Sequence, residues 1–259
     1  AMNARDDIAF LAGSEVRVDV LRALRSETAR PSELAEECSC ARETAQRAVS
    51  AFVERGWAEK VSPDQGYRLT RAGDLVAGGY DEFERCVVVS SRFRELLANL
   101  GTISERIDCE TLSEATYARA TTENPHAPID RFLAVVGDEP VEQFHGITPI
   151  VSRVFNQAAG RVIGPETDVQ LILDRDVLAT SASEYPEALE RAEELDGFTL
   201  FVAEESLESG LMIVDGHAYL GAYDDGGNLV ASADSSGETF VSWAEQTFEN
   251  VRQRTSEWS

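Results

Sequence analysis

Apolar residues in the first third of the chain recur every three or four positions, which is the spacing of amphipathic helices. Residues 16–24 predict one helix with Ser14 as its N-cap, and residues 42–55 predict another that ends before Gly56. Between them, Pro31 starts a short helix that is followed by a four-residue turn. Two helices joined by a tight turn predict a helix-turn-helix. The predicted inward side of its second helix consists of Ala45, Ala48, Val49, Phe52 and Val53.

A β-hairpin is predicted directly after these helices. Residues 57–62 and 67–70 have the composition of strands, and the four residues 63–66 between them, Pro-Asp-Gln-Gly, favour a turn. The succession of helix, short helix, turn, helix and hairpin predicts a winged helix, in which the hairpin is the wing.

A long connector helix is predicted after the hairpin, from a cap at Thr70 towards Leu97. Its apolar positions follow a 4-3-4 spacing, which is typical of a seam between two helices. They are Val76, Tyr80, Phe83 and Val87, and the stripe resumes at Phe93, Leu97 and Leu100. A winged helix is too small to bury this stripe, so we expect it to pack against its twin in a homodimer or against the C-terminal domain of the same chain.

The rest of the chain alternates between strand and helix signals. Helices are predicted from Pro128, after Thr148-Pro149, over 185–195 and after a capping box at Ser235 and Glu238, and strands over 115–121, 169–173, 198–202, 211–215, 218–223 and 229–233. The predicted fold class is therefore mixed α+β and α/β. It comprises a winged helix-turn-helix (2–72), a connector or dimerisation helix (73–107) and a mixed-sheet α/β effector domain (108–259).

The composition of the chain predicts a cytoplasmic protein that is strongly acidic. Of the 259 residues 43% are apolar, and no run approaches the roughly 20 apolar residues of a membrane helix. The N-terminus has no signal pattern, so we expect a cytoplasmic protein without membrane partners. There are 47 acidic against 23 basic residues, and Lys60 is the single lysine. This pattern predicts adaptation to a very salty cytoplasm, with an ordinary acidic protein as the alternative.

The negative charge is distributed unevenly along the chain. Residues 1–79 carry 11 basic and 13 acidic side chains, a net charge of −2, whereas residues 80–259 carry 12 and 34, a net charge of −22. In so acidic a chain the nearly neutral segment is relatively basic, as expected for a segment that approaches a polyanion. Chance composition is the alternative.

The outward side of the second helix of the helix-turn-helix carries residue types that read DNA bases. Arginine can grip guanine, glutamine can pair with adenine, and threonine can contact a thymine methyl group or a phosphate. Ser32 lies near a helix N-terminus, where a phosphate can bind, and the wing offers further contacts. The candidate DNA-binding residues are Ser32, Arg42, Glu43, Thr44, Gln46, Arg47, Lys60, Tyr67 and Arg68, with Ser50 at the margin. A solvated helix face is the alternative for each arginine.

These segments resemble a known family. The stretches RVDVLRAL, RPSELAEECSCARETAQRAVSAFVERGWAEK and GYRLTRAG resemble archaeal winged helix-turn-helix transcription regulators. With NPHAP, HGITPIVSRVFNQA and GAYDDGGNL, nearly the whole chain resembles the haloarchaeal branch of the methanogenesis-regulatory-protein type. The resemblance implies sequence-specific binding of double-stranded DNA by a homodimer that carries an α/β effector domain.

The cysteines have a spacing that is poor for zinc, because Cys38 and Cys40 have no second cysteine pair or histidine nearby. In similar helix-turn-helix segments these positions hold leucine and valine, so we interpret both as small buried hydrophobes. A thiol switch at the turn is the alternative. No disulfide framework is expected in a cytosolic protein.

Catalytic motifs are missing from the sequence. It holds no phosphate-binding glycine loop, no nucleophile elbow and no paired histidines at helical spacing. A phospholipase-D-like sheet is a fold analogy, but that chemistry needs a His–Lys pair, and no lysine follows Lys60. We therefore expect no enzyme, no catalytic residues, no cofactor and no metal. A winged-helix-fused phosphodiesterase-like enzyme and a ligand-independent architectural DNA-binder are the alternative functions.

The C-terminal domain offers a candidate effector pocket. His145 is expected just before a helix N-terminus, where Gly146 leaves room for an anion. The candidate residues are Asn124, His126, Arg131, His145, Arg153 and Tyr223, and two arginines suit a small anionic metabolite. The alternative is that both histidine-containing corners only stabilise turns.

Overall fold

The computed structural model describes residues 3–62 and 64–258, and for residues 104–106 it describes the backbone alone. Pro63, in the predicted hairpin turn, lies outside the described residues. The chain forms two compact units that divide between Val87 and Val88. This division falls inside the predicted connector.

The first unit contains the helices and the hairpin in the predicted order. Its elements are α1 (Ala4–Ala12), α2 (Glu15–Ser26), α3 (Pro31–Glu37), α4 (Arg42–Glu54), β1 (Ala58–Ser62), β2 (Gly66–Leu69) and α5 (Arg71–Arg92), which extends past the division. The Oγ1 atom of Thr70 accepts a hydrogen bond from the amide of Gly73 at 3.1 Å, which confirms the predicted cap of α5. Ser14 occupies the N-cap position of α2 but makes no side-chain cap bond.

Gly66 lets the hairpin approach the loop before α3. The amide of Ala29 donates to the carbonyl of Tyr67 at 3.0 Å, and the amide of Tyr67 donates to the carbonyl of Ala29 at 2.9 Å. Gly66 has φ +87°, and a Cβ there would lie 2.3 Å from the carbonyl oxygen of Ala29. Only glycine fits this position, because any side chain would meet both the backbone strain and the clash.

The core of the first unit follows the predicted helix faces with one exception. The large buried side chains of this core include Leu21, Leu24, Leu34, Val49 and Phe52 on the helices and Trp57 just before β1. Phe52 packs edge-on against Phe10 at 6.2 Å between ring centroids. Val53, predicted to face inward, is 41% exposed. The buried positions of α4 are Ala45, Ala48, Val49 and Phe52. Each residue of an α-helix is rotated by about 100° from the one before it, so Val53, which follows Phe52, lies off that face.

The second unit is built on an eight-stranded mixed sheet. Its helices are α6 (Arg94–Ala98), a 3₁₀ turn (Gly101–Arg106), α7 (Cys109–Ser113), α8 (Ala127–Val136), α9 (Arg153–Val162), α10 (Arg175–Glu184), α11 (Pro186–Glu193) and α12 (Glu238–Arg252). Its strands are β3 (Thr116–Arg119), β4 (Gln143–Ile147), β5 (Asp168–Asp174), β6 (Phe198–Ala203), β7 (Ser209–Val214), β8 (His217–Tyr223), β9 (Leu229–Ser235) and β10 (Thr255–Glu257). The strand order is β10-β6-β5-β4-β7-β8-β9-β3. Strands β4, β5 and β6 are parallel, and all other neighbours are antiparallel.

Helices cover both faces of this sheet. On one face, Phe240, Trp243 and Phe248 of α12 join α6 and α7 in a core with β4 to β9. On the other face, α8 and α9 pack on β7 and β8, and α10 and α11 pack beside them on β5 and β6. Successive strand residues face opposite sides, so each strand contributes to both cores.

Several elements differ from those expected. Strands β4 and β10 were not predicted, and the helix expected after Pro149 begins at Arg153, preceded by Ser152 as N-cap. The N-cap of α12 is Gly237 rather than Ser235. The connector is interrupted at Phe93, where α5 has ended and α6 begins. None of the helices within residues 3–62 and 64–258 has the length and apolarity that crossing a bilayer requires.

Candidate nucleic-acid interface and effector residues

Helix α4 of the first unit presents one buried and one exposed side. The sequence-predicted contact residues on this helix are all exposed: Arg42, Glu43, Thr44, Gln46, Arg47 and the marginal Ser50. Gln46 donates from Nε2 to Oγ of Ser50 at 3.2 Å, a weak bond that a base could replace. The structure therefore brings the six residues together on one solvent-facing surface.

The cations of the first unit differ in whether they are already paired. Most of its arginines are bound within the unit: Arg22 and Arg25 to carboxylates of α5, Arg30 to Glu33, Arg55 to Asp7, Arg68 to Glu59, Arg71 to Asp74, and Arg17 to the carbonyl of Phe10. Among the described residues, the cationic side chains of this unit without a hydrogen bond or ion pair are Arg5, Arg42, Arg47, Lys60 and Arg85. Three of these five lie on α4 or the hairpin.

The remaining predicted contact residues differ in availability. Ser32 is exposed at the second position of α3, next to its N-terminus. Lys60 on β1 is exposed, whereas Tyr67 on β2 is half-buried against the core of the unit. Arg68 faces Glu59 directly across the hairpin and binds it at 2.8 Å, so its charge is already balanced.

The cysteines of the turn are half-buried. Cys38 and Cys40 pack against the core of the first unit, which fits their interpretation as small hydrophobes. Burial raises the pKa of the Cys38 thiol to about 11, so this thiol is protonated at neutral pH and is a poor nucleophile. Cys86 and Cys109 are disulfide-bonded, and the expectation of a chain without disulfides is wrong for these two.

Arg131, a predicted effector residue, is bound to a buried carboxylate. Its Nε and Nη2 atoms donate to Oδ1 and Oδ2 of Asp234, both at 2.6 Å. Nε2 of His217 lies 2.8 Å from the same Oδ2. The hydrogen bond to Asp234 raises the pKa of Arg131. The Asp234 side chain is only 1% exposed, so Arg131 neutralises a carboxylate that is buried inside the unit. Its guanidinium is therefore not free to bind an anion.

His145 lies within strand β4 and not before a helix N-terminus, so its expected placement is wrong. It pairs with Ile213 and therefore faces the α12 side of the sheet, opposite to Arg131 on α8. Its Nε2 atom is 3.0 Å from Oδ2 of Asp168, and its ring stacks on Phe248 with 5.2 Å between centroids.

The other predicted effector residues are also separated. Asn124 closes a tight turn with Thr121, and the exposed His126 follows as the N-cap residue of α8. This placement fits the turn-stabilising alternative. Arg153 is exposed at the start of α9, and Tyr223 packs on the α8 side of the sheet, where burial raises its pKa. The six residues thus do not line one pocket.

Two cavities of the second unit lie on the α12 side of its sheet. The smaller, about 190 Å³, lies beside the last residues of β4 and β6 and the loop 204–208. The larger, about 560 Å³, opens beside α12. Sequence reasoning identified His145 at the larger cavity but missed its neighbours Gln143, Gln170, Thr199 and Glu245. Polar residues inside the otherwise apolar strands β5 and β6 were the signal that could have found Gln170 and Thr199. The described residues contain no cluster of three or more His, Cys, Asp or Glu side chains that could hold a metal.

These features define a two-unit protein in which a helical unit with a hairpin precedes a mixed α/β sheet. Residues 125–254 match the family model described as "Methanogenesis regulatory protein FilR1, middle domain". The chain belongs to this family. Residues 5–92 match the model described as "HVO_A0261 N-terminal domain".

Among solved structures, TrmBL2, an archaeal chromatin protein with a novel mode of DNA binding, is 13% identical with a TM-score of 0.41, covering 98% of this chain and 100% of that chain. HmgR from Pseudomonas aeruginosa is 15% identical with a TM-score of 0.25, covering 93% and 96%. The dimethyltransferase RosA from Streptomyces davawensis is 12% identical with a TM-score of 0.27, covering 78% and 64%. No curated protein sequence matches the chain.

Proposed function

We propose that this chain is a sequence-specific DNA-binding transcription regulator that acts as a homodimer and senses a small molecule. The DNA-binding domain comprises residues 2–72, the connector residues 73–107 and the effector-sensing domain residues 108–259. The observation that carries the proposal is the set of unpaired cations on the exposed side of α4 and on the hairpin, in a unit whose other arginines are mostly neutralised.

In this proposal α4 enters the major groove of double-stranded DNA. Arg42 and Arg47 reach guanine edges as bidentate donors, and Gln46 exchanges its weak bond to Ser50 for a base. Ser32 and Lys60 contact phosphates, which positions the helix without reading sequence. Residues 1–79 carry a net charge of only −2, so this segment itself repels DNA little.

The test is selection of binding sites from random DNA duplexes by the full chain in potassium chloride solution. We expect enrichment of one motif with guanines at fixed positions and two half-sites related by a two-fold axis. Guanines are expected because arginine is the main base-reading side chain on α4. A selected pool without any preferred sequence would overturn the proposal of specific binding.

The homodimer part of the proposal rests on α5. One side of this helix is tied to α2 through ion pairs such as Arg22–Asp81 at 2.8 Å. The apolar Leu75 and Phe83 are 63% and 61% exposed. Leu75 and Phe83 are eight residues apart on this helix, close to two turns, and therefore share one of its sides. A two-fold copy of this surface buries both apolar side chains.

Phe83→Glu is expected to convert the dimer into a monomer, because two carboxylates would then be buried against apolar surface at the two-fold interface. Light scattering coupled to size exclusion measures the mass. Ile8→Glu is the matched control, since Ile8 on α1 is 62% exposed and lies outside the proposed interface. A monomeric unaltered chain, or a Phe83→Glu variant of dimeric mass, would contradict this interface.

A further inference from the structure

A groove in the second unit carries polar side chains at sheet positions that elsewhere belong to the core. The pairing register sets His145, Gln170 and Thr199 side by side on β4, β5 and β6. The residues two positions further along these strands, which face the same side, are Ile147, Ile172 and Phe201, all part of the core with α12. The same sheet face therefore changes from apolar to polar within one step, at the 560 Å³ groove.

The polar side chains of the groove keep unused hydrogen-bonding groups. Gln143, Gln170 and Thr199 are half-buried, and none makes a side-chain hydrogen bond within the described part of the chain. His145 is held at Nε2 by Asp168 and across its ring by Phe248, which fixes its plane. Half-buried amides and hydroxyls are normally paired with protein or water, so this row offers ready partners to a ligand.

The charges of the groove exclude an anion. Arg252 contributes a cation to the wall, but Glu249 binds it through two bonds of 2.7 Å, and the pKa of Glu249 falls to about 2 mainly because of these bonds. Glu245 and Glu257 line the groove as exposed carboxylates without an ion pair among the described residues. Carboxylates and amide oxygens are acceptors for ammonium groups, which carry three donors and no acceptor.

We propose that this groove binds a small organic cation with primary ammonium groups, of the size of a linear diamine. Its ammonium groups bond to the carboxylates of Glu245 and Glu257 and to the side-chain oxygens of Gln170 and Thr199. The cavity lies within the range of about 300–1,000 Å³ that small-molecule sites usually have. This cation would be the small molecule sensed in the proposed function. Only an effect of the cation on DNA binding rests on that proposed function, since binding of the cation is measured without DNA.

The experiment is calorimetric titration of the full chain with three linear four-carbon molecules that differ in their end groups. 1,4-Diaminobutane is expected to bind, 1,4-butanediol to bind at least about tenfold more weakly, and succinate not to bind. Equal or tighter binding of the diol or of succinate would overturn the assignment of a cation. Absence of any binding of the diamine at millimolar concentration would overturn the site itself.

Variants then locate the site. Glu245→Gln and Gln170→Leu are each expected to weaken diamine binding by about tenfold, the effect of one charge-assisted hydrogen bond. Glu238→Gln is the matched control, because it removes the same charge at the far end of α12. Thermal unfolding checks that each variant is folded. Equal losses of diamine affinity for Glu245→Gln and Glu238→Gln would show that the diamine is attracted to an acidic surface in general. The proposed specific site would then be wrong. Failure here leaves the selection of DNA sites unaffected, so the two proposals fail separately.

Discussion

Arg47→Ala is expected to weaken binding to the selected DNA site by about 1–3 kcal/mol and to relax the preference at one base pair. Arg47 is exposed on α4 and has no partner within the described residues, so its guanidinium needs no rearrangement before it grips a guanine. Gel-shift titration of the preferred duplex, and of duplexes altered at each guanine, measures both effects.

The control for this prediction is Arg5→Ala, which removes another unpaired arginine of the same unit from α1. Losing a cation that only attracts DNA from a distance should weaken binding to all duplexes alike, without changing the preferred sequence. Equal losses for the two variants on every duplex would show that α4 contributes charge but does not read bases. Unchanged affinity of Arg47→Ala would remove this residue from the interface.

The first unit was predictable because its signals are local. Apolar spacing placed α2 and α4, the Pro31 position started α3, and turn residues marked the hairpin. The error at Val53 arises at the margin of a helix face, where one residue of rotation separates buried from exposed. Here the structure adds mainly the pairing state of the arginines. Pairing depends on residues far apart in sequence, such as Asp81 for Arg22.

The second unit was less predictable because its sheet joins distant segments. Strand β4 lies between β5 and β7, and its sequence gives little sign of this, since Gln143 and His145 are polar on the side that lines the groove. Chemistry alone groups the predicted effector residues, but strand alternation places His145 on one face of the sheet, whereas α8 carries Arg131 on the other face. Residue type alone does not specify a face until the register is known.

Arg131→Met is expected to lower the free energy of unfolding by about 2–3 kcal/mol, the cost of leaving a buried carboxylate incompletely paired. Asp234 keeps one bond, from His217, but loses both bonds to the guanidinium. Methionine preserves the apolar stem of the side chain, so the change removes mainly the charge. Urea denaturation followed by circular dichroism measures the difference. Arg175→Met is the matched control, because Arg175 and Glu204 form their ion pair in solvent and should contribute little.

A second substitution separates this account from a role in ligand binding. If the loss arises from an uncompensated charge on Asp234, then adding Asp234→Asn to Arg131→Met should recover most of the stability, because a neutral amide is far less costly to bury than a carboxylate. Equal instability of the single and double variants would show that Arg131 acts through packing instead. If Arg131 belonged to an anion-binding pocket, its substitution would change ligand affinity and leave unfolding nearly unaltered. The bidentate contact with a side chain that is 1% exposed favours the structural role. The groove on the opposite face of the sheet, at His145 and Gln170, is therefore the ligand site that we propose.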